Sequence, residues 1–400
     1  MKPKSCRATP TVRTPKLTIG QGPTTETQGS SLPGEHPAVT VFLVSTMFRL
    51  RVAIFVDNLG TGAVSGTLAV SMAPAHGLAA LGGVLALRVL AAVLYAAWAS
   101  RSSTRRQPYG NLTLTLTSLI MTVSSIWTVL ATLSGWDLAV VGFGYLLFAF
   151  SNTVMSLLLS VRSPQDAMSL GPVSILGIST GSSLVALATG FGSVPMLTVA
   201  VVLCLAQALE VVLAGSLPVH PHPAQQKLRW GWTALSAALA FSVYAPLALA
   251  AGITARYLSP GWVAPVLLVP AAFSLLAPVL HNRRNGRMHH PALLGTGAVL
   301  ANLSLLAILL GPVPFLVART VSSVAVFTVE GSLRLAAFSA GGPLALASVS
   351  FGSILGVSAG GVVFGVVSDL FSFTAATVLF TAIAAVGTMV VSSRPAVATA

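Results

Sequence analysis

The sequence predicts an all-α integral membrane protein of twelve transmembrane helices in two pseudo-symmetric six-helix bundles, and three observations predict it. Of 400 residues, 54% are hydrophobic and only 7% are charged, whereas about a quarter of the residues in soluble domains are charged. The apolar residues gather into runs long enough to cross a hydrocarbon core of about 30 Å, which takes roughly 20 helical residues. Lys and Arg fall in short clusters between those runs, the pattern of a positive-inside bias.

Residues 1–37 are polar and rich in Pro, Thr and Gly, carry Lys2, Lys4, Arg7, Arg13 and Lys16, and contain no apolar core of a cleavable leader. They read as a disordered basic tail. Pro37 to Phe48 is apolar but too short to span alone, so it reads as a lead-in or an extension of the first helix. The first bundle, 38–216, then holds spans at 52–73, 79–99, 112–133, 138–160, 168–189 and 194–215. A linker at 217–229 with Lys227 and Arg229 leads to the second bundle, 230–392. Its spans are 230–251, 261–280, 291–311, 313–336, 345–367 and 371–392, and 393–400 form a short tail.

Placing the N-terminus in the cytoplasm puts eighteen of the twenty-one Lys and Arg residues on the inner side, including Arg101, Arg105 and Arg106 after span two and Arg283, Arg284 and Arg287 after span eight. One missed or invented span would invert every later loop, so the split supports the count of twelve. The expectation is a multi-pass protein of the cytoplasmic membrane, monomeric, with both termini inside. The formal charge of +13 is then a matter of topology. A nucleic-acid partner is not expected, because that needs a soluble basic face.

Spans seven to twelve follow spans one to six at a nearly constant shift. At an offset of 179, Ser174–Ser183 lies over Ser353–Val362 with six of ten residues identical. Parallel repeats of this kind place a substrate site between the halves near the midplane. Gly177/Gly181 in span five and Gly356/Gly360 in span eleven are small-xxx-small patterns, expected to let helices pack backbone to backbone.

Arg284-Asn-Gly-Arg287, with Arg283 before it, and Ser100-Arg-Ser-Ser-Thr-Arg-Arg106 are remnants of a Gly-x-x-x-Asp-Arg-x-Gly-Arg-Arg loop signature. With the helix count, cytoplasmic termini and six-plus-six halves, the chain resembles the major facilitator superfamily over about residues 45–395. The resemblance implies a secondary transporter that works by alternating access. In that family a first-helix acid often binds a proton or cation, which singles out Asp57. Antiporters of the family usually carry an Arg in span four, which is absent here, while its span-ten counterpart, Arg319, is present.

Ionisable side chains inside a bilayer cost several kcal/mol, roughly 2.5–3.5 on insertion scales, so each is a functional candidate. Asp57, Glu210 and Glu330 are the acids within spans, and Arg88 and Arg319 the deepest bases. Asp57 and Arg88 are expected to pair, in a bridge that protonation could break. Glu330 and Arg334 have the i, i+4 spacing of a helical ion pair. Glu210, with Gln207 on its face, is expected to meet a loop arginine, and Arg319 either binds an anion or snorkels to the outer interface. Thr61, Ser65, Thr67, Ser124, Ser125, Thr180 and Ser183 are candidate points of loose polar contact with a substrate.

Cys6 and Cys204 cannot form a metal cluster, and His220, His222, His289 and His290 have no acid or thiol near them in sequence. No cofactor or metal is expected, and no Walker loop is present. The function expected is proton-coupled export of a small, largely apolar compound. Uptake or exchange of an organic anion or sugar is the alternative within transport, and a membrane-embedded sensor with a transporter fold is the alternative outside it.

Overall fold

The computed structural model describes residues 37–102, 110–160, 167–217, 230–276 and 291–392. Met1–Leu43 and Val44–Ala400 form separate units. The first contributes only the helical residues 37–43 to the description, and the second holds the bundle.

The described elements are helical throughout. They are α1 (Pro37–Ser102), α2 (Asn111–Leu133), α3 (Leu138–Ser160), α4 (Ala167–Thr189), α5 (Ser193–Ala206), α6 (Leu209–Gly215), α7 (Trp230–Leu239), α8 (Ala245–Ala248), α9 (Ala250–Tyr257), α10 (Val263–Ser274), α11 (Pro291–Leu306), α12 (Pro312–Leu370) and α13 (Phe373–Ser392). A π-helical segment, Ala240–Tyr244, joins α7 to α8, and a 3-10 turn, Ala307–Leu310, prolongs α11. All twelve expected spans fall on these helices apart from their turn residues and 277–280, which lie outside the described residues. Among the described residues, six helical stretches are long and apolar enough to cross a membrane, and one of them, Met47–Tyr95, carries spans one and two.

Two elements differ from the expected boundaries. Spans one and two are joined in α1 with no loop between them; the chain turns at Gly77, whose φ of 86° and ψ of 172° lie in a region open essentially only to glycine. Spans ten and eleven both belong to α12, so 337–344, expected as a loop, is helical. Apolar composition explains why the sequence hid this, since Leu, Ala and Gly there satisfy helix and inner turn alike.

The repeat is visible in the packing. A Cβ on Gly177 would lie 2.6 Å from the Phe55 carbonyl oxygen, and one on Gly181 would overlap that of Leu59. The second half repeats the arrangement: Gly356 meets the Ala237 carbonyl and Gly360 the Phe241 carbonyl, where a Cβ would lie 2.5 Å away. Span five thus lies backbone to backbone on span one, as span eleven does on span seven. This is the packing role expected for the four glycines.

Contacts between the halves gather at the end where spans one and two, five and six, seven and eight, and eleven and twelve turn around. The Asp369 carboxylate accepts the Ala79 backbone N–H at 2.8 Å and pairs with Arg256. Gly82 abuts the Gly361 carbonyl, Gly365 the Leu78 carbonyl, and Gly252 the Leu81, Ala73 and Leu78 side chains. Ser183 donates to the Ala264 carbonyl at 3.3 Å. Ser183, expected as a substrate contact, therefore ties span five to span eight.

Candidate functional site

The central residues of the first half form one connected polar site in an otherwise apolar bundle. Asp57 is 2% exposed on α1. Its backbone carbonyl accepts the Gln207 side-chain amide at 3.1 Å, and Gln207 in turn accepts Ser125 of α2 at 3.2 Å. Asn58 donates to the Ile54 carbonyl at 2.7 Å and to Asp57 Oδ2 at 3.4 Å, and accepts Ser174 of α4 at 2.9 Å. Gly60 makes room for Gln207, because a Cβ there would overlap its side chain.

Span six is interrupted where it meets Asp57. Between α5 and α6 the ladder tightens to i−3 bonds, Ala208 to Leu205, Glu210 to Gln207 and Val211 to Ala208, at 3.0–3.3 Å. Such a turn departs from the α-helical ladder. It presents Gln207 and Glu210, both fully buried, to α1. The Glu210 carboxyl lies beside that of Asp57, with Ser118 close by. With both acids ionised, Asp57 Oδ1 and both Glu210 oxygens are buried and receive no donor. A proton shared between the two carboxyls supplies the missing donor and removes the repulsion of like charges in a medium of low dielectric.

Arg88 does not pair with Asp57 as expected. Its Nη2 donates to Asn152 Oδ1 of α3 at 3.0 Å, while Asn152 Nδ2 donates to Thr61 at 3.1 Å and Thr61 to the Asp57 carbonyl at 3.5 Å. Arg88 is thus linked through a neutral amide and a hydroxyl to the Asp57 backbone, not to its carboxyl. Asp57 takes its carboxyl neighbour from span six instead. Glu210 likewise meets no loop arginine among the described residues, because it points into the bundle rather than along it.

The second half holds three further polar points among the described residues. Arg334 donates to Glu330 Oε1 through Nε at 2.9 Å and Nη2 at 2.7 Å, so the expected i, i+4 pair is formed. Tyr244, at the end of the π-helical segment, lies beside it. Asn302 of α11 donates to the Ser242 carbonyl within that segment at 2.7 Å. Arg319 is 5% exposed and does not snorkel, and its Nε and Nη1 find no acceptor.

Several hydroxyls expected as substrate contacts are engaged within their own helices. Thr67 donates to the Ala63 carbonyl, Ser124 to that of Ile120 and Thr180 to that of Leu176; Ser65 donates to the Thr61 carbonyl and meets Ser182. Arg101 is helical, with its side chain outside the description. Arg105, Arg106, Arg283, Arg284 and Arg287 lie outside the described residues. Asn152 and Tyr244 escaped sequence reading. The isolated Asn in an apolar α3 was the available signal for one, and nothing in sequence marks the π-helical step that places the other.

No protein-family model matches the sequence, and no curated protein matches it. Solved structures do match by shape. The nucleoside transporter NupG aligns with a TM-score of 0.64 at 14% identity, over 86% of this chain and 98% of that one. A bacterial homologue of the human lysosomal transporter Spinster, in an inward-facing and occupied conformation, gives 0.62 at 16% identity, over 90% and 98%. A D-xylose–proton symporter gives 0.62 at 13% identity, over 86% and 96%. The fold is therefore the major facilitator fold, twelve helices in two six-helix halves. With its apolar helices, it makes the chain a multi-pass integral membrane protein.

Proposed function

We propose that the chain is a proton-coupled secondary transporter that exports a small, largely apolar compound by alternating access. The carrying observation is the buried Asp57–Glu210 carboxyl pair, set at a break in span six and linked through Asn152 and Thr61 to Arg88. A proton taken up from one side bridges the two carboxyls and is released to the other as the halves rock. Each proton state leaves a different set of buried groups satisfied, which gives the differential energy that coupling requires.

The clustering of inter-half contacts at one end supports alternating access. On the positive-inside orientation that end is the outer one, the termini are cytoplasmic, and this conformation reads as closed outside. The transporters of like fold support the general class, and the symporter among them is a proton-coupled case by its own description.

The test uses the full chain in liposomes with an imposed pH gradient. Wild type accumulates a transported compound against its gradient, and Asp57→Asn abolishes accumulation while leaving exchange. Wild-type transport that ignores the pH gradient sinks the coupling.

A further inference from the structure

Arg319 carries a charge that the protein leaves uncompensated. Every acid among the described residues is committed elsewhere. Asp57 and Glu210 face each other, Asp137 accepts the Ala139 N–H at 2.8 Å, Glu330 holds Arg334 and Asp369 holds Arg256. Glu330 is the nearer of the two acids on the same helix, eleven residues on, which a rise of 1.5 Å per residue puts roughly 16 Å away. No charge offsets the burial of the guanidinium.

Neutral partners are equally scarce. Ser322, one turn on, donates to the Arg319 carbonyl at 3.0 Å and to Ser304 at 3.1 Å, and neither hydroxyl oxygen accepts from Arg319 Nε or Nη1. Phe315, one turn back, is fully buried and apolar. Arginine used structurally in an interior has its N–H fork filled by carboxylate or carbonyl oxygens. Here two of the nitrogens are buried and empty. Arg88, by contrast, has its acceptor in Asn152.

We infer that Arg319 is the seat of a substrate anion: the transported compound is a small, largely apolar molecule bearing one negatively charged group, a carboxylate or sulfonate. This deepens the proposed function and rests on it. One uncompensated guanidinium calls for one negative charge, and a dianion would leave a net charge buried. The buried Phe315 one turn back and the largely apolar sequence of α12 suit the uncharged remainder of such a molecule. The anion completes the unfilled N–H groups on arrival, so its binding energy is largest in the state that buries Arg319.

The test measures thermal unfolding of the purified full chain in detergent with hexanoate, benzoate and hexanesulfonate, and with hexanamide and benzamide as neutral isosteres. Wild type gains a saturable rise in Tm with the anions and none with the amides. Arg319→Gln binds the anions at least tenfold more weakly, and Arg319→Lys retains part of the response. Ligand-free Arg319→Gln unfolds at a higher Tm than wild type, because a buried unpaired charge has been removed. A lower Tm there, an equal response to acids and amides, or no response to any of the anions overturns the assignment. Anion binding lost in Arg319→Gln without any transport in liposomes keeps the site and sinks the transport reading. Transport of a neutral compound that Arg319→Gln leaves unchanged does the reverse.

Discussion

Asp57 and Glu210 lie side by side across the interface of spans one and six, with Ser118 close to Glu210 and, among the described residues, no salt bridge to either acid. Two buried acids side by side cannot both stay ionised without a large penalty, so the proposed coupling treats the pair as one proton-holding unit. Substitutions at the two positions should then be strongly non-additive. Asp57→Asn and Glu210→Gln each abolish pH-driven accumulation, and the double variant is no worse than either. A double-mutant cycle on accumulation in liposomes measures this, and additive losses would show two independent acids.

Asp369 closes one end of the molecule by holding Arg256 and the Ala79 N–H together, and Gly77 admits the carboxylate there, since a Cβ would lie 2.5 Å from Asp369 Oδ2. Gly77→Ala adds that clash to a backbone conformation costing about 1–3 kcal/mol for other residues. The closed end should therefore open. A cysteine introduced at Leu78, fully buried in wild type, becomes reactive to a membrane-impermeant maleimide in the Gly77→Ala background and stays protected without it. Asp369→Asn should act in the same direction but more weakly, because the ion pair is partly exposed and such pairs contribute about 0.2–1 kcal/mol.

The matched glycines give a symmetric prediction. Gly181→Ala and Gly360→Ala each force a Cβ onto a neighbouring backbone carbonyl, and overpacking of this kind costs about 1–3 kcal/mol. Both variants lower Tm by similar amounts. Gly83→Ala, where a Cβ meets nothing within 4 Å, leaves Tm unchanged or slightly higher. Unequal effects at Gly181 and Gly360 would show that the two halves, though alike in backbone, are not alike in packing.

The architecture was legible because it rests on coarse quantities: apolar runs set the spans, and the spacing of Gly177 and Gly181 against Gly356 and Gly360 set the repeat. The polar site was legible in part. Burial cost alone nominated Asp57, Glu210, Arg88 and Arg319, and i, i+4 spacing alone paired Glu330 with Arg334. The partners of Asp57 and Arg88 were not legible. Opposite charge favoured joining them to each other, but the structure lets Asn152 satisfy Arg88 and a break in span six bring Glu210 to Asp57. Helix rotation decides which face a residue presents, and in helices this apolar on every side no stripe of polar residues reveals it.

The Glu330–Arg334 pair is the more buried of the two ion pairs described within the second half, and its removal should separate pairing from burial. Both guanidinium bonds go to a single carboxylate oxygen on the same helix, with Tyr244 alongside. Removing one partner strands a part-buried charge, which costs less than the about 3–5 kcal/mol typical of a fully buried pair, whereas replacing both by apolar groups of similar size is often neutral. Arg334→Met and Glu330→Leu should therefore each lower Tm clearly, and the double variant should recover most of the loss. If the double variant is as unstable as the singles, the destabilisation comes from lost packing around Tyr244 rather than from an orphaned charge.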